Sequence, residues 1–324
     1  MMEKKALIIG ISGQDGAYLS QLLLNEGYVV HGTSRDAELS SFSSLKALNI
    51  FDKVHLHSMS SIDFRSVMQV ILEVQPSEVY NLAGQSSVGL SFAQPVETLD
   101  SISLGTLNIL EVIRFHKLPI KFYNASSSEC FGDTHGKAAD ETTPFHPRSP
   151  YAVAKSAAFW QVANYREAYN LFACSGLLFN HESPLRPLRF VTRKIINSAC
   201  RIAQTKTGIL KLGNVNIKRD WGWAPEYAKA MYLMLQQDKP EDYVIATGKS
   251  ISLEEFVKLT FDYFNLDYKN HVEIDSSIYR PTDIPFGLGN PSKAAAKLNW
   301  KVKYFVEDVI KMMIEHELES LKKN

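Results

Sequence analysis

The stretch Leu7-Ile8-Ile9-Gly10-Ile11-Ser12-Gly13-Gln14-Asp15-Gly16 constrains the chain more than any other. Three apolar residues run directly into glycines at every third position, and an amphipathic stretch follows. A strand that passes into a helix through so tight a turn lays the helix back against its own sheet. The glycines let the backbone turn, approach a ligand closely and pack helix on strand. The helix start then offers free N–H groups and the positive end of its dipole, a ready site for phosphate. Alone the triplet is a weak signal. Between a first strand and a first helix it has the context a dinucleotide pyrophosphate requires. Gly10, Gly13 and Gly16, with Gln14 and Asp15 between them, are therefore assigned to dinucleotide binding.

The rest of the first half repeats the same rhythm. Strands are expected at 6–9, 29–33, 54–57, 78–83, 120–125 and 171–179, with helices at 16–26, 61–75, 97–117 and 149–169. Strand and helix in alternation predict an α/β fold, a Rossmann-like doubly wound parallel sheet covered on both faces. After Asn180 the rhythm breaks at a loop rich in Pro and Arg (183–187). Helices follow near 190–205 and 225–236, and a strand at 242–247. Ser252-Leu253-Glu254-Glu255 has capping-box spacing, and a long amphipathic helix covers about 305–322. Residues 1–180 read as a dinucleotide-binding domain, with elements near 215–248 returning to it, and 181–324 as a smaller α/β substrate lobe.

Composition narrows the partners. In 324 residues, 35 Lys and Arg balance 35 Asp and Glu, so no bulk charge favours nucleic acid or an anionic membrane. No stretch reaches the ~18 apolar residues of a membrane span, and the apolar run before Gly10 is too short for a signal peptide. Cys130, Cys174 and Cys200 are odd in number and unpatterned, which suits a reducing compartment. A cytoplasmic protein is expected.

Two further motifs carry chemistry. The second strand ends in Thr33-Ser34-Arg35-Asp36. An Arg there suits the 2′-phosphate of NADP and a carboxylate suits the ribose of NAD. Arg35 favours NADP, and Asp36 keeps NAD as the alternative. Ser149-Pro150-Tyr151-Ala152-Val153-Ala154-Lys155 opens with a capping Ser and a Pro suited to the first helical position. Tyr151 and Lys155, four apart, then share a helix face. A nearby ammonium is expected to lower the phenol pKa and make Tyr151 a base for a sugar hydroxyl.

With these features the chain resembles the extended short-chain dehydrogenase/reductase superfamily. More specifically, Asn81-Leu82-Ala83-Gly84-Gln85-Ser86-Ser87-Val88, Asn180-His181-Glu182-Ser183-Pro184, Val191-Thr192-Arg193-Lys194 and Leu212-Gly213-Asn214 resemble motifs of the GDP-mannose 4,6-dehydratase family. So do Lys218-Arg219-Asp220-Trp221-Gly222, Tyr279-Arg280-Pro281-Thr282 and Lys297-Leu298-Asn299-Trp300. The resemblance implies a nucleotide-sugar dehydratase, a homodimer or homotetramer with NADP and a GDP-sugar substrate. It implies a catalytic set of Ser127, Glu129, Tyr151 and Lys155. Leu82, Ala83 and Gln85 join the cofactor site. Ser86, Asn180, Lys194, Arg219, Arg280 and Asp283 contact the nucleotide-sugar. Glu129 is the residue that separates a dehydratase from an epimerase, since only the dehydratase must take a proton from C5 beside a transient C4 ketone. In dehydratases of dTDP-glucose an Asp stands where this chain has Ser128, so Glu129 is expected to serve both as base and as acid for the leaving hydroxyl.

Departures from the family pattern leave alternatives. Arg35 is followed by Asp36 rather than a second Arg, and the segment to about residue 50 is short. Ser60 stands where an Asp-Leu pair meets the adenine, and Asp283 replaces a Glu. Leu185, Pro187 and Leu188 alter the loop near the sugar. The alternatives are a 4,6-dehydratase of another GDP-sugar such as a GDP-heptose, a nucleotide-sugar 4-epimerase or ketoreductase, and a dinucleotide-sensing scaffold without catalysis. No metal site is expected: His181-Glu182 resembles the opening of a zinc motif, but no second His follows at the required spacing. His55 and His57 read as surface residues, Cys130 as a packing residue, and Trp221 and Trp223 as packing at the lobe junction.

Overall fold

A computed structural model describes residues 4–323. Its central sheet contains β1 (Lys5–Ile9), β2 (Val29–Ser34), β3 (His55–Ser58), β4 (Glu78–Asn81), β5 (Lys121–Ser127), β6 (Ala173–Leu178) and β7 (Tyr243–Ile245). They lie in the order β7-β6-β5-β4-β1-β2-β3, every pair parallel. Continuous apolar runs produce strands that are buried on both faces. In β1 the side chains alternate between two cores. Ala6 and Ile8 pack with Leu19 and Leu23 of α1 (Gln14–Asn25), and Leu7 and Ile9 pack on the opposite face. That second face is covered by α2 (Phe64–Val74), α3 (Gly105–Phe115) and α4 (Pro150–Tyr169) through Val67, Ile71, Ile109, Ile113 and Val162. Ser149 caps α4 by accepting from the Ala152 N–H, with Pro150 in the first turn.

The helix expected at 97–117 is built of three pieces. An α-turn (Pro95–Leu99) passes through a π-helical stretch (Asp100–Leu104) into α3. His57 also differs from expectation. It is half-buried and lies 2.9 Å (Nε2) from His31 Nδ1, while His55 remains exposed.

The second lobe is a three-helix layer of α5 (Val191–Thr205), α7 (Leu253–Asp262) and α8 (Val306–Lys323), joined by a separate core around Ile195, Phe256, Phe261, Val309 and Met313. Ser252 starts α7 by accepting from the Glu255 N–H. Trp221 is buried in this core and Trp223 packs against it. Between α5 and α7 the chain revisits the sheet. α6 (Ala224–Leu235) packs beside α1 through Ala228, Met231 and Leu235, and β7 extends the sheet next to β6. The segment Asn180–Glu182, directly after β6, pairs with Trp221–Trp223. Among the described residues no helix is long and apolar enough to cross a membrane.

Strand order reverses between β1 and β4, so the connections after them diverge and leave a crevice at their C-terminal ends. The register aligns the functional segments along that edge: Ile9 pairs with Asn81, Asn81 with Asn124, and Ser127 with Leu178. Asn81 and Asn124 face each other there. Asn81 Nδ2 donates to Asn124 Oδ1 (3.2 Å) and to Thr106 Oγ1 (3.1 Å), which ties the ends of both strands to α3.

Candidate active site

The glycines of the first turn have separate tasks. A Cβ on Gly16 would lie 2.6 Å from Ile11 Cα, and one on Gly10, at φ +89°, would lie 2.9 Å from the Ala83 nitrogen. Both positions are fixed by protein backbone. A Cβ on Gly13 would meet nothing closer than the Gly10 carbonyl at 3.6 Å. The missing side chain at Gly13 therefore leaves room in front of α1 rather than relieving an internal clash. Gly13 is also the N-cap residue, and no side chain caps the helix. First-turn N–H groups with open space before them fit a pyrophosphate.

The side chains of Gln14 and Asp15 turn elsewhere. Gln14 Nε2 donates to the His181 carbonyl at 3.1 Å, and Gln14 Oε1 accepts from Ser183 Oγ at 2.7 Å. Asp15 Oδ2 lies 3.0 Å from His181 Nε2. Gln14 is thus committed to the segment after β6, whereas Asp15, though paired with His181, still lines the cleft. Gln85 likewise serves its own loop: its amide donates to the Ser87 carbonyl and to Thr98 Oγ1, and its backbone N–H donates to Ser101 Oγ. Leu82 and Ser86 line the cleft. Ala83 is the residue against which Gly10 packs.

Arg35 lies outside this cleft at the end of β2, exposed and without a hydrogen bond or ion pair among the described residues. Asp36 is occupied, because its Oδ1 accepts from the N–H groups of Glu38 and Leu39 at 3.0 and 2.9 Å.

A cavity of about 420 Å³ opens between the sheet edge and the second lobe. Ser127, Glu129, Tyr151 and Lys155 all line it. The strand reaches Ser127, whose Oγ caps a 3-10 turn (Ser128–Phe131) by accepting from the Glu129 N–H at 3.2 Å. Gly132 ends that turn at φ +66°, where a Cβ would lie 2.1 Å from the His146 carbonyl oxygen. The Ser127 hydroxyl lies near enough to the Tyr151 phenol to favour its charged form. Cys130 is a packing residue, fully buried with its thiol pushed up by burial.

One expectation is corrected here. Burial raises the Tyr151 phenol well above its ordinary value, and the Ser127 hydroxyl and Arg186 offset only part of that. Lys155 faces the phenol ring, yet the net direction is upward where the sequence implied a lowering. Its Nζ donates to the Ala125 carbonyl at 2.6 Å and sits 5.9 Å from the Tyr151 ring centre. Burial lowers the ammonium to about 8, although Cys130 and Asp15 favour its charge.

Seven basic side chains (Lys155, Arg186, Arg189, Lys194, Lys211, Arg219, Arg280) and four acidic ones (Asp15, Glu129, Glu182, Asp283) line the cleft. Three of the four acids are paired. Asp283 Oδ1 holds Arg219 at 3.0 Å and Arg280 at 3.6 Å, and Arg219 also donates to the Ile284 carbonyl at 2.7 Å. Glu182 takes Arg186 at 3.3 Å and the Thr192 hydroxyl at 2.7 Å. Asp15 takes His181. Among the described residues the Glu129 carboxylate has neither an ion pair nor a hydrogen bond. Asp283 is thus a holder of cations rather than a lone acceptor. Lys194 Nζ donates to the Lys211 carbonyl at 2.7 Å, and Asn180 stands at the cleft wall. Fixed guanidiniums in a concave site suit a diphosphate. Sequence reading missed Glu182 and Arg186 and set His181 aside. Their signal was the run of charged residues directly after a buried strand end.

The sequence profile of the family described as GDP-mannose 4,6 dehydratase matches residues 7–313. The protein GDP-mannose 4,6 dehydratase 1 of Arabidopsis thaliana is 46% identical over 332 residues, covering 99% of this chain and 91% of the relative. The GDP-mannose 4,6-dehydratase of Vibrio cholerae is 42% identical over 353 residues, covering 98% and 94%. Among solved structures, a dTDP-glucose 4,6-dehydratase of Bacillus anthracis in complex with NAD superposes with a TM-score of 0.85. It is 18% identical and covers 99% of this chain and 98% of that one, a likeness of fold.

The lowered Lys155 gives a stability prediction. Its folded value of about 8 lies below the ordinary lysine value of 10.5, so between those pH values the unfolded chain holds the extra proton. The residue's penalty is complete below pH ~8 and is lifted as pH rises toward the unfolded value. Lys155→Met is therefore expected to stabilise the cofactor-free protein at neutral pH by about 1–2 kcal/mol, after allowing for the lost hydrogen bond to Ala125. Thermal melts across pH check this, and a variant less stable than the parent at every pH would contradict it.

Proposed function

This chain belongs to the GDP-mannose 4,6-dehydratase family, and on that premise we propose that it converts GDP-mannose to GDP-4-keto-6-deoxymannose. The observation that carries the reading is the arrangement at the end of β5. A hydroxyl, a phenol and an ammonium are set for oxidation chemistry, with one unpaired carboxylate beside them.

Tyr151 takes the C4 hydroxyl proton, with Ser127 orienting both oxygens. A dinucleotide held at the start of α1 would supply the hydride chemistry, from C4 and back to C6, and a positive charge in its oxidised form. Burial holds the Tyr151 phenol protonated, so its base function depends on positive charge brought close in the complete site. A ketone at C4 makes the C5 proton acidic. Glu129, with no cation competing for its oxygens, takes that proton and passes one to the C6 hydroxyl as it leaves. The products of this step are water and a C5–C6 double bond conjugated to the ketone. Hydride at C6 and a proton at C5, delivered by Glu129 after exchange with solvent, complete the product. Lys155, anchored on the Ala125 carbonyl, and the guanidiniums of Arg219 and Arg280 orient the two ligands.

NADP is the cofactor this reading favours, because Arg35 is free at the end of β2 while the Asp36 carboxylate is occupied by its own turn. The assembly is a homodimer formed through α4 and the adjoining 95–115 segment. Their outer faces leave Val96, Val153 and Trp160 exposed at 69%, 45% and 61%, an apolar patch of the kind that a second copy covers.

Three outcomes follow. Glu129→Gln should lower product formation by ~10²–10⁴-fold while GDP-mannose still reduces the bound cofactor, seen as ultraviolet absorbance. An active Gln variant would remove Glu129 from the mechanism. Arg35→Ala should weaken NADP binding by about 10–100-fold and leave NAD binding unchanged, measured by titration calorimetry. Equal losses for both dinucleotides would contradict the assignment. Trp160→Asp should give a monomer in sedimentation experiments, and an unchanged assembly would place the interface elsewhere.

A further inference from the structure

The Asp15–His181 pair lies outside the chemistry above, yet its geometry is demanding. His181 Nδ1 lies 2.7 Å from the Phe179 carbonyl and Nε2 lies 3.0 Å from Asp15 Oδ2. A carbonyl and a carboxylate can only accept, so both ring nitrogens must carry protons and the ring is an imidazolium. It is nearly buried, with a side-chain exposure of 10%, and stacks on Tyr227 at 4.4 Å with 23° between the rings. The charged groups around it are Asp15 from α1, Arg186 from the loop beyond and Glu182 next in sequence. Burial opposes the charge on His181, but Asp15 and the Phe179 carbonyl outweigh it, and the imidazole is held above its usual value. Asp15 Oδ1, also buried, has no partner.

An aspartate in the first turn of α1 is a problem for a pyrophosphate site. It favours the helix dipole but places negative charge where a dianion is to bind. We propose that Asp15 and His181 form a positioning pair, an imidazolium–carboxylate latch that fastens the phosphate loop to segment 180–182 and cancels the Asp15 charge facing the cofactor. This inference rests on the dinucleotide reading. The latch couples two ligand sites mechanically. Gln14 clasps the same segment through the His181 carbonyl and Ser183, and Asn180 at the head of that segment lines the substrate cleft. Neither residue of the pair donates a proton to substrate.

The test titrates oxidised NADP into the parent, Asp15→Asn, His181→Gln and the double variant, from about pH 6 to about pH 9. Parent affinity falls as pH rises, because deprotonated His181 leaves Asp15 uncompensated. His181→Gln keeps a donor near Asp15 without the charge, so it binds about tenfold more weakly at the acid end and keeps only the shallower slope that Lys155 supplies. Asp15→Asn likewise keeps only the Lys155 slope and binds more tightly than the parent at the alkaline end. The decisive comparison is the double variant, which recovers affinity relative to His181→Gln to within about threefold of the parent. A structural role alone would add the two losses together, so a double variant weaker than His181→Gln overturns the proposal. Lys155, which lies near Asp15 and titrates at about 8, gives all four proteins a common slope, so a slope in Asp15→Asn as steep as the parent's overturns the proposal equally, even if His181→Gln does not fold. A folded parent that binds no dinucleotide at any pH overturns the dinucleotide reading itself.

Discussion

Everything in this molecule depends on how closely α1 approaches the end of β1. Gly16 against Ile11 and Gly10 against Ala83 leave no space for a side chain, so the helix start is drawn into the crevice where strand order reverses. A methyl group there would push α1 outward, and with it the N–H groups that meet phosphate. The same close approach brings Gln14 and Asp15 within reach of the segment after β6. Two parts of the chain more than 160 residues apart thereby become one wall of the cleft.

The cleft is organised by an unequal treatment of charge. Basic side chains outnumber acidic ones there although the whole chain is neutral. The acids are mostly used to hold cations: Asp283 fixes two guanidiniums and Glu182 fixes one. An anionic ligand thus meets donors whose positions are already set, which reduces the ordering that binding requires. Glu129 stands apart because no ion pair or hydrogen bond holds its carboxylate among the described residues, which leaves its oxygens open to a ligand. Lys155 shows the reverse relation between stability and function. Its ammonium is unfavourable where it is buried, and the fold holds it on the Ala125 carbonyl all the same, as a group kept for the proposed chemistry would be.

The parallel sheet and the helices between its strands were legible because strand and helix periods differ clearly in the first half and the glycine triplet marks the start, while the strand order came only from the structure. Tyr151 and Lys155 were legible as a pair because Ser149 and Pro150 mark the start of their helix, whereas Ser127 and Glu129 were reached only through the family resemblance. Other features depended on three-dimensional neighbours. The π-helical stretch at 100–104 carries no local signature, and His57 meets His31 only through strand pairing. The upward displacement of Tyr151 follows from burial that four-residue spacing cannot reveal. His181 was weighed only against a zinc motif. Its partner lies in the phosphate loop, 166 residues earlier.

The central claim is that Glu129 exchanges a proton at C5 beside a transient C4 ketone. Turnover of GDP-mannose with NADP in deuterated water, followed by nuclear magnetic resonance of the sugar, tests it most directly. The account predicts a 4-keto-6-deoxy product carrying deuterium at C5, with the hydrogen from C4 found at C6. A product that keeps its original C5 hydrogen, or a sugar altered only in configuration at C4, would contradict it.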